Sequence, residues 1–437
     1  MAGAPLPGGF LLAGGNDRLD HLGARATSIV GRRGAHWSRL VPLEAGMLTP
    51  NHPLRRPQTL LALTLAGGLA ALAACGGGDG TVAPTSPPVT APAPTTAAPT
   101  TTIRMTTTTA PTATTAPTTV ATTVPPTTVP AVPRQPLTGQ PLADASEIID
   151  RPALVVKIDN ASAARRNHSG LGVADLVFEE MVEGRITRFA AVFHSRDSDP
   201  VGPVRSGRSQ DVDLLTALRN PLFAWSGGNP GVTRLIAAST FIDLNWQHTP
   251  RTYYRGAGST PHNLYTSTQR LWEHIPFGHP GAPPPQFSYL DADGTFTGDP
   301  VAGADLRIGS INVSWDWDAE AHAFMRSMGG SPHIDVSHGP IGATNVVLMV
   351  LEYKPSVIDT RSPEAQTIGN GPVYIFSDGK AVEGRWFRTA ADQPIRLVTE
   401  ANVPIPINPG TTWVELLEAI PSGDVARPAA DFTVRYS

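Results

Sequence analysis

The chain of 437 residues contains one cysteine, Cys75. Everything beyond it is therefore without disulfides, thiolate nucleophiles or cysteine metal ligands, and its stability has to come from burying a core. The uncharged stretch from Thr59 to Ala74 has 16 residues, short of the ~20 that a membrane-crossing helix needs. A formal net charge of −4 shows no basic bias, so no nucleic-acid partner is expected. There is no Gly-x-Ser-x-Gly elbow, no His-Glu-x-x-His helix, no Walker lysine and no dinucleotide fingerprint. Proline and glycine are abundant, with 44 and 42 residues, which favours turns and β structure over long helical bundles.

What is present begins with Arg55 and Arg56, then the short apolar stretch, then Leu72-Ala73-Ala74-Cys75. A basic flank, a short apolar region and small residues before a cleavage point read as a secretory signal. With cysteine next, the pattern resembles the lipobox of bacterial lipoproteins, in which the cysteine sulfur is lipidated and becomes the mature N-terminus. The alternative is an uncleaved anchor. Each buried methylene contributes about 0.8 kcal/mol and stable anchoring takes more than one chain. Two or three chains on Cys75 would hold the protein on the outer face of the cytoplasmic membrane, facing the wall. Residues 1–46 carry Asp17, Asp20 and several arginines with no coherent apolar period. Translation is expected to start at Met47, giving a signal of residues 47–74 and making 1–46 an artefact of start-site assignment.

Residues 75–140 are expected to be the lipidated cysteine and a disordered tether. Between Thr81 and Pro130, 32 of 50 residues are Thr or Pro, and Arg104 is the only charge. Such a segment cannot bury enough apolar surface to offset its ordering entropy. It is a spacer, or a sugar-modified stalk. The folded part is expected in two pieces: an α/β domain over 141–285 and a small β-rich domain over 301–437, joined by a Pro/Gly/Asp-rich linker at 286–300. In the first, Ala153 to Ile158, Thr187 to His194 and Pro221 to Trp225 read as strands, Ala174 to Met181 as a strand or helix, and Ser209 to Leu218 and Val232 to Ala238 as helices. In the second, Asn345 to Tyr353 is a strongly apolar strand. Val373 to Phe376 and Val382 to Phe387 flank Asp378-Gly379 as a hairpin. Ile395 to Thr399 and Thr412 to Leu417 add short strands, and Ala319 to Met328 is expected to be a helix.

From about Arg151 to Glu415 the chain resembles the YerB-like family of bacterial lipoproteins. The residues that carry this are Arg151-Pro152, Ile158-Asp159-Asn160, Ser169-Gly-Leu171, Ala174-Asp175, Val182-Glu-Gly184, Ile186-Thr-Arg-Phe189, Val201-Gly-Pro-Val-Arg-Ser206, Pro261-His-Asn-Leu-Tyr265 and Gly410-Thr-Thr-Trp413. Where the family usually has Arg-Ser-Ala-Arg, this chain has Arg205-Ser206-Gly207-Arg208. The resemblance implies two domains, both of unknown function, and an envelope location. It brings no catalytic residues.

The leading candidate site is an arginine cluster. Arg185 and Arg188 precede residues 189–193, and Arg205 and Arg208 follow. If the chain doubles back, their planar forks could grip a carboxylate or phosphate in bidentate fashion. Internal pairing with Asp175, Glu179, Glu180, Glu183 and Asp211 is the competing explanation. A second candidate is Gly227-Gly-Asn-Pro-Gly231 before a helix N-terminus, which offers free N–H groups to anions and is equally a generic turn. A third is Asp159-Asn160 at the end of the first strand, where α/β sheets favour ligands and where a capped turn also fits. His262 and Asn263, with Tyr253, Tyr254 and Tyr265 nearby, could line a sugar-binding surface or pack in the core. His333-Ile-Asp335-Val-Ser-His338 has metal-like spacing, but a strand would turn His338 to the opposite face, and no metal site is expected. Ser206 as a nucleophile has no base pinned near it.

These features point first to a non-enzymatic envelope lipoprotein. Its N-domain arginines would bind a wall polymer, a lipid-linked precursor or a wall protein, with no cofactor. The rival is an enzyme on a phosphorylated or glycosidic envelope substrate, with Asp159 as base or Mg²⁺ ligand and Arg188, Arg205 and Arg208 stabilising negative charge. LytR-type phosphotransferases are an analogy by class only. A third reading is a scaffold that recruits other wall proteins.

Overall fold

Strands whose residues are buried on both faces dominate the architecture. The computed structural model describes residues 132–421 and 429–437. The signal, Cys75 and most of the tether lie outside the described residues. The first region builds β1 (Leu154–Asp159), β2 (Leu176–Met181), β3 (Thr187–Phe193), α1 (Gln210–Leu215), β4 (Leu222–Trp225), α2 (Pro230–Ala238) and β5 (Ile242–Asn245). All residues of β1 to β4 are buried. Such strands read as continuous apolar runs because both sheet faces are covered.

The second region builds β6 (Asp299–Ile308), β7 (Ile311–Asp318), β8 (Ala323–Met328), β9 (Asn345–Leu351), β10 (Gly369–Ser377), β11 (Lys380–Arg388) and β12 (Thr412–Glu418). One sheet runs through both regions in the order β8-β7-β6-β11-β10-β9-β12-β2-β3-β1-β4-β5. The join is β12, which pairs in parallel with β9 on one side and with β2 on the other. β1 is antiparallel to β3 and parallel to β4, and β4 is parallel to β5 across the α2 crossover. The carboxyl ends of β1, β2, β4, β5, β9 and β12 consequently fall along one edge of the sheet.

Period-two alternation divides the core between the two faces. Leu154, Val156, Ile158, Phe189, Val346 and Trp413 share one core with Ala304, Val313, Trp315 and Phe324 of the meander β6–β8 and with Leu264, Leu271 and Trp272. Val155, Phe178, Val192, Val347 and Val414 face α1 and α2 through Leu214, Leu215, Val232 and Ile236. Neighbouring acids are split in the same way. Glu180 meets Lys157 at 2.5 Å on the helix side, and Lys157 also meets Asp211 at 2.9 Å. Glu179 meets Arg326 on the meander side, and Arg326 lies 3.7 Å from Glu415. All of these side chains are fully buried.

One expected element is overturned. Residues Ala323–Met328 form β8, antiparallel to β7 from Asp318 back to Val313, instead of part of a helix from Ala319. Ala, Glu and Met favour helix locally, but pairing wins once Phe324 and Arg326 on one side are buried and Ala323, Met325 and Ser327 are less so. Ala174 to Met181 resolves as a strand. The expected hairpin forms, with the Asp378-Gly379 turn between β10 and β11.

Candidate functional site

The carboxyl edge of the sheet carries a cleft of ≈ 550 Å³. Its position follows from the backbone. Beyond Val156 the strands β1 and β4 part, and the segment around Arg205 fills the gap. Arg205 N–H donates to Lys157 O at 2.8 Å, and Ser226 N–H donates to Arg205 O at 3.0 Å. Arg205, Ser206, Arg208 and Ser209 thus meet the Ser226-Gly227-Gly228-Asn229 turn after β4. Gly227 has φ +105°, a left-handed conformation that glycine adopts without strain. Asn229 caps α2 by accepting Val232 N–H at 2.9 Å. Trp246 and Gln247 after β5 close one side, and Ser356, Asp359, Arg361 and Ser362 after β9 close another.

Three of the four candidate arginines come together. Arg188 leaves the start of β3 and is only 5% exposed. It donates to Ser206 O at 3.0 Å, while its Nε is buried without a partner. It forms no ion pair among the described residues. Burial first, then the charge of Arg208, pushes its guanidinium down to about 9, with Asp159 opposing and Arg205 adding to the shift. Arg205 donates through Nε to Asp159 Oδ2 at 3.2 Å, and no partner engages its two η nitrogens among the described residues. Arg208 donates through Nε to Glu183 at 2.9 Å and through Nη1 to Gly207 O at 2.7 Å. Arg185 stands apart, exposed and paired with Glu418 at 2.8 Å. The acids named as possible neutralisers thus divide. Glu183 holds Arg208, Glu179 and Glu180 hold Arg326 and Lys157, and Asp211 holds Lys157 and accepts Arg208 N–H at 2.7 Å. Asp175 accepts N–H bonds from His194 at 2.5 Å and Ser195 at 2.7 Å.

Asp159 is 1% exposed and ties the site together. Its Oδ1 accepts Ala161 N–H at 3.1 Å. His262 Nδ1 lies 2.6 Å from the Oδ2 that also accepts from Arg205. Burial by itself would raise this carboxyl, but the His262 hydrogen bond, the Ala161 N–H and the charges of Arg205 and Arg188 outweigh it and hold it below the usual range. The ionised carboxylate therefore accepts from His262 Nδ1–H, which fixes the tautomer so that Nε2 carries the lone pair whenever the ring is neutral. Asn160 is turned inward, donating to Thr187 Oγ1 at 2.7 Å and Glu179 at 3.2 Å. Asn263 is a brace: it donates to Gly258 O at 3.1 Å and accepts from Arg255 at 3.0 Å. Arg255 in turn lies 4.9 Å over the Trp246 ring.

A buried hydrogen-bond chain reaches the same residue from the meander side. Arg326 has only donors, so its 2.7 Å contact to His333 Nδ1 makes that nitrogen an acceptor. His333 Nε2 then donates to His168 Nδ1 at 2.7 Å, and His168 Nε2 donates to Asp159 O at 2.6 Å. Burial, then the Arg326 charge, keeps His333 well below its ordinary value, and burial above all pushes His168 down to about 4. Both rings are neutral at neutral pH. Of the metal-like triplet, Asp335 accepts Gly172 N–H at 2.9 Å and His338 lies 2.9 Å from the Ser198 hydroxyl. No group of His, Cys, Asp and Glu is arranged to hold a metal among the described residues. None of their helices is long and apolar enough to cross a membrane.

Sequence reading missed Trp246, Gln247, Arg255 and the whole contribution of the loop after β9. Ser356, Asp359 and Arg361 lie about 150 residues from Arg205 in the chain, and no local pattern marks them.

A cleft at the strand carboxyl ends, lined by arginines and hydroxyls, belongs to an α/β-type sheet extended by a β meander. The chain belongs to the family described as "Protein of unknown function (DUF3048)", whose N-terminal domain matches residues 137–279 and whose C-terminal domain matches residues 304–414. It is 25% identical over 324 residues to the "Putative lipoprotein YerB" of Bacillus subtilis (strain 168), covering 67% of this chain and 89% of that one. The crystal structure of YerB protein from Bacillus subtilis shares the fold, with a TM-score of 0.57 at 24% identity over 69% of this chain and 99% of that one. The two-part YerB-like architecture expected from the sequence is thereby established.

Proposed function

We propose that the protein is a membrane-anchored lipoprotein, held by Cys75 on the outer face of a bacterial cytoplasmic membrane. It binds an anionic wall-related ligand in the arginine cleft. The observation that carries the binding half is Arg188: a buried cation that no carboxylate contacts in an ion pair among the described residues, beside two further guanidiniums and with an orphaned Nε. Burying an uncompensated charge is costly, and an anion seated among these arginines would offset that cost. The anchoring half rests on the signal-like segment before Cys75 and on the name of the Bacillus relative.

Two measurements test these halves. Thermal unfolding of the full chain is followed with inorganic phosphate, polyglycerol phosphate and muropeptides. A ligand at 100 times its Kd should add about 2.7 kcal/mol, and Arg188→Leu and Arg205→Ala should abolish the shift. No shift with any of the three, or a shift that survives both substitutions, rules out the cleft as an anion site. For the anchor, Cys75→Ser should move the protein from the membrane fraction to the soluble fraction and stop labelling by a clickable fatty acid. Unchanged labelling would refute lipidation at Cys75.

A further inference from the structure

Asp159 is the group that an acid–base reading of the sequence singles out, yet it is spent. It is buried, ionised, paired to Arg205 and hydrogen-bonded to Ala161 and His262. The reactive atom of this arrangement is His262 Nε2. Its ring is oriented by the carboxylate through Nδ1, its side chain is 22% exposed, and its neighbour Pro261 lines the cleft. No partner engages Nε2 among the described residues. The same carboxylate oxygen fixes Arg205 through Nε, which leaves the two η nitrogens as a free fork. One buried oxygen thus aims both an imidazole lone pair and a bidentate anion grip. A base must stand within hydrogen-bond reach of its proton and be held there by a third group, and a carboxylate-held histidine meets the second condition.

We propose that His262 is the general base of a phosphodiesterase centre in which Arg205 binds the non-bridging phosphate oxygens. This rests on the anion-binding reading above. The charge of the site favours this class. Arg205, Arg208, Arg255 and Arg361 line the cleft with Glu183 and Asp359, an excess of two positive charges that the buried pair of opposite charges behind it, Arg188 and Asp159, leaves unchanged, and this excess suits one phosphate group. The cleft of ≈ 550 Å³ also has room for organic groups on both sides of that phosphate. Val232, Leu264, Pro261 and the Trp246 ring supply apolar surface for them. In the reaction a water gives one proton to His262 Nε2 as its oxygen forms a bond to phosphorus. The bond from phosphorus to the leaving oxygen breaks, and the imidazolium returns the proton to that oxygen. Diester and water become monoester and alcohol, with no other reactant.

The test uses the full chain and bis(p-nitrophenyl) phosphate, with p-nitrophenolate release and the phosphate-induced thermal shift measured on each variant. The wild type should turn over, with kcat/KM rising with pH through a single ionisation. His262→Gln, whose amide can still donate to Asp159, should lose at least 100-fold in kcat, lose that ionisation and keep the phosphate shift. Arg205→Lys should raise KM and weaken the shift. A wild type that binds phosphate without releasing p-nitrophenolate overturns the catalytic inference and leaves the binding reading intact. The same holds for a His262→Gln variant as active as the wild type. Absence of the phosphate shift in the wild type overturns both.

Discussion

The Lys157–Glu180–Asp211 cluster makes a quantitative prediction. One ammonium is buried with two carboxylates, and Asp211 also supports the Arg208 backbone at the cleft. Burial above all, and then the Asp211 charge, lifts the Glu180 carboxyl from 4.5 to about 7 against the pull of Lys157. A carboxyl raised in the fold stays protonated where the unfolded chain has released its proton. Its contribution to stability is therefore complete below pH 4.5 and is lost as pH climbs through about 7. At about 1.4 kcal/mol per pH unit this amounts to about 3 kcal/mol. His168 works in the opposite direction, because a histidine pushed down to about 4 costs stability as the unfolded chain takes up protons below 6.5. The wild-type curve mixes the two, so the decisive quantity is a difference. Glu180→Gln removes the titration and keeps the shape. Urea unfolding followed by tryptophan fluorescence should show the variant gaining on the wild type by about 3 kcal/mol between about pH 4 and pH 8. A difference independent of pH, or one that shrinks as pH rises, would refute the assignment of a buried proton to this cluster.

Other substitutions separate structural from ligand-directed charge. Arg326→Leu leaves Glu179 and Glu415 buried without their cation and should cost about 3–5 kcal/mol in the same urea assay. Arg185→Ala removes only an exposed pair with Glu418, so it should change stability by less than about 1 kcal/mol and leave any ligand-induced thermal shift unaltered. Trp413→Ala empties the space against Phe189 and Trp315, whose rings lie 5.3 and 5.4 Å away, and should cost about 3–5 kcal/mol by denaturant midpoint.

Legibility in the sequence followed how local the cause was. β9 could be read because a strand buried on both sides is written as an apolar run, β1 and β12 because only Lys157 and Glu415 interrupt theirs, and the β10–β11 hairpin because Asp378-Gly379 states its turn. The segment from Ala319 to Met328 was misread because its helix-favouring composition is overruled by pairing with β7. Arg188, Arg205 and Arg208 were nameable as a candidate cluster because only the rest of β3 and the segment after it, up to α1 at Gln210, separate them. The partners of Glu179 and Glu180 were not. Adjacent acids on a strand face opposite sides, and Arg326 arrives from a distant meander. Likewise, Asp159 could be named from its place at a strand end, but only the fold shows that its carboxylate is already engaged and that His262 holds the free nitrogen.

The place of β12 between β9 and β2 also bears on how the protein is made. A chain that emerges N-terminus first presents β2 with one edge unpaired until residues 412–418 arrive, and an open strand edge is where misassociation starts. The N-terminal family region is thus a chain waiting for its last neighbour. Synthesis has to pass Glu418 before the sheet can close, and a nonsense mutation anywhere before β12 should leave an aggregation-prone product in place of a working half.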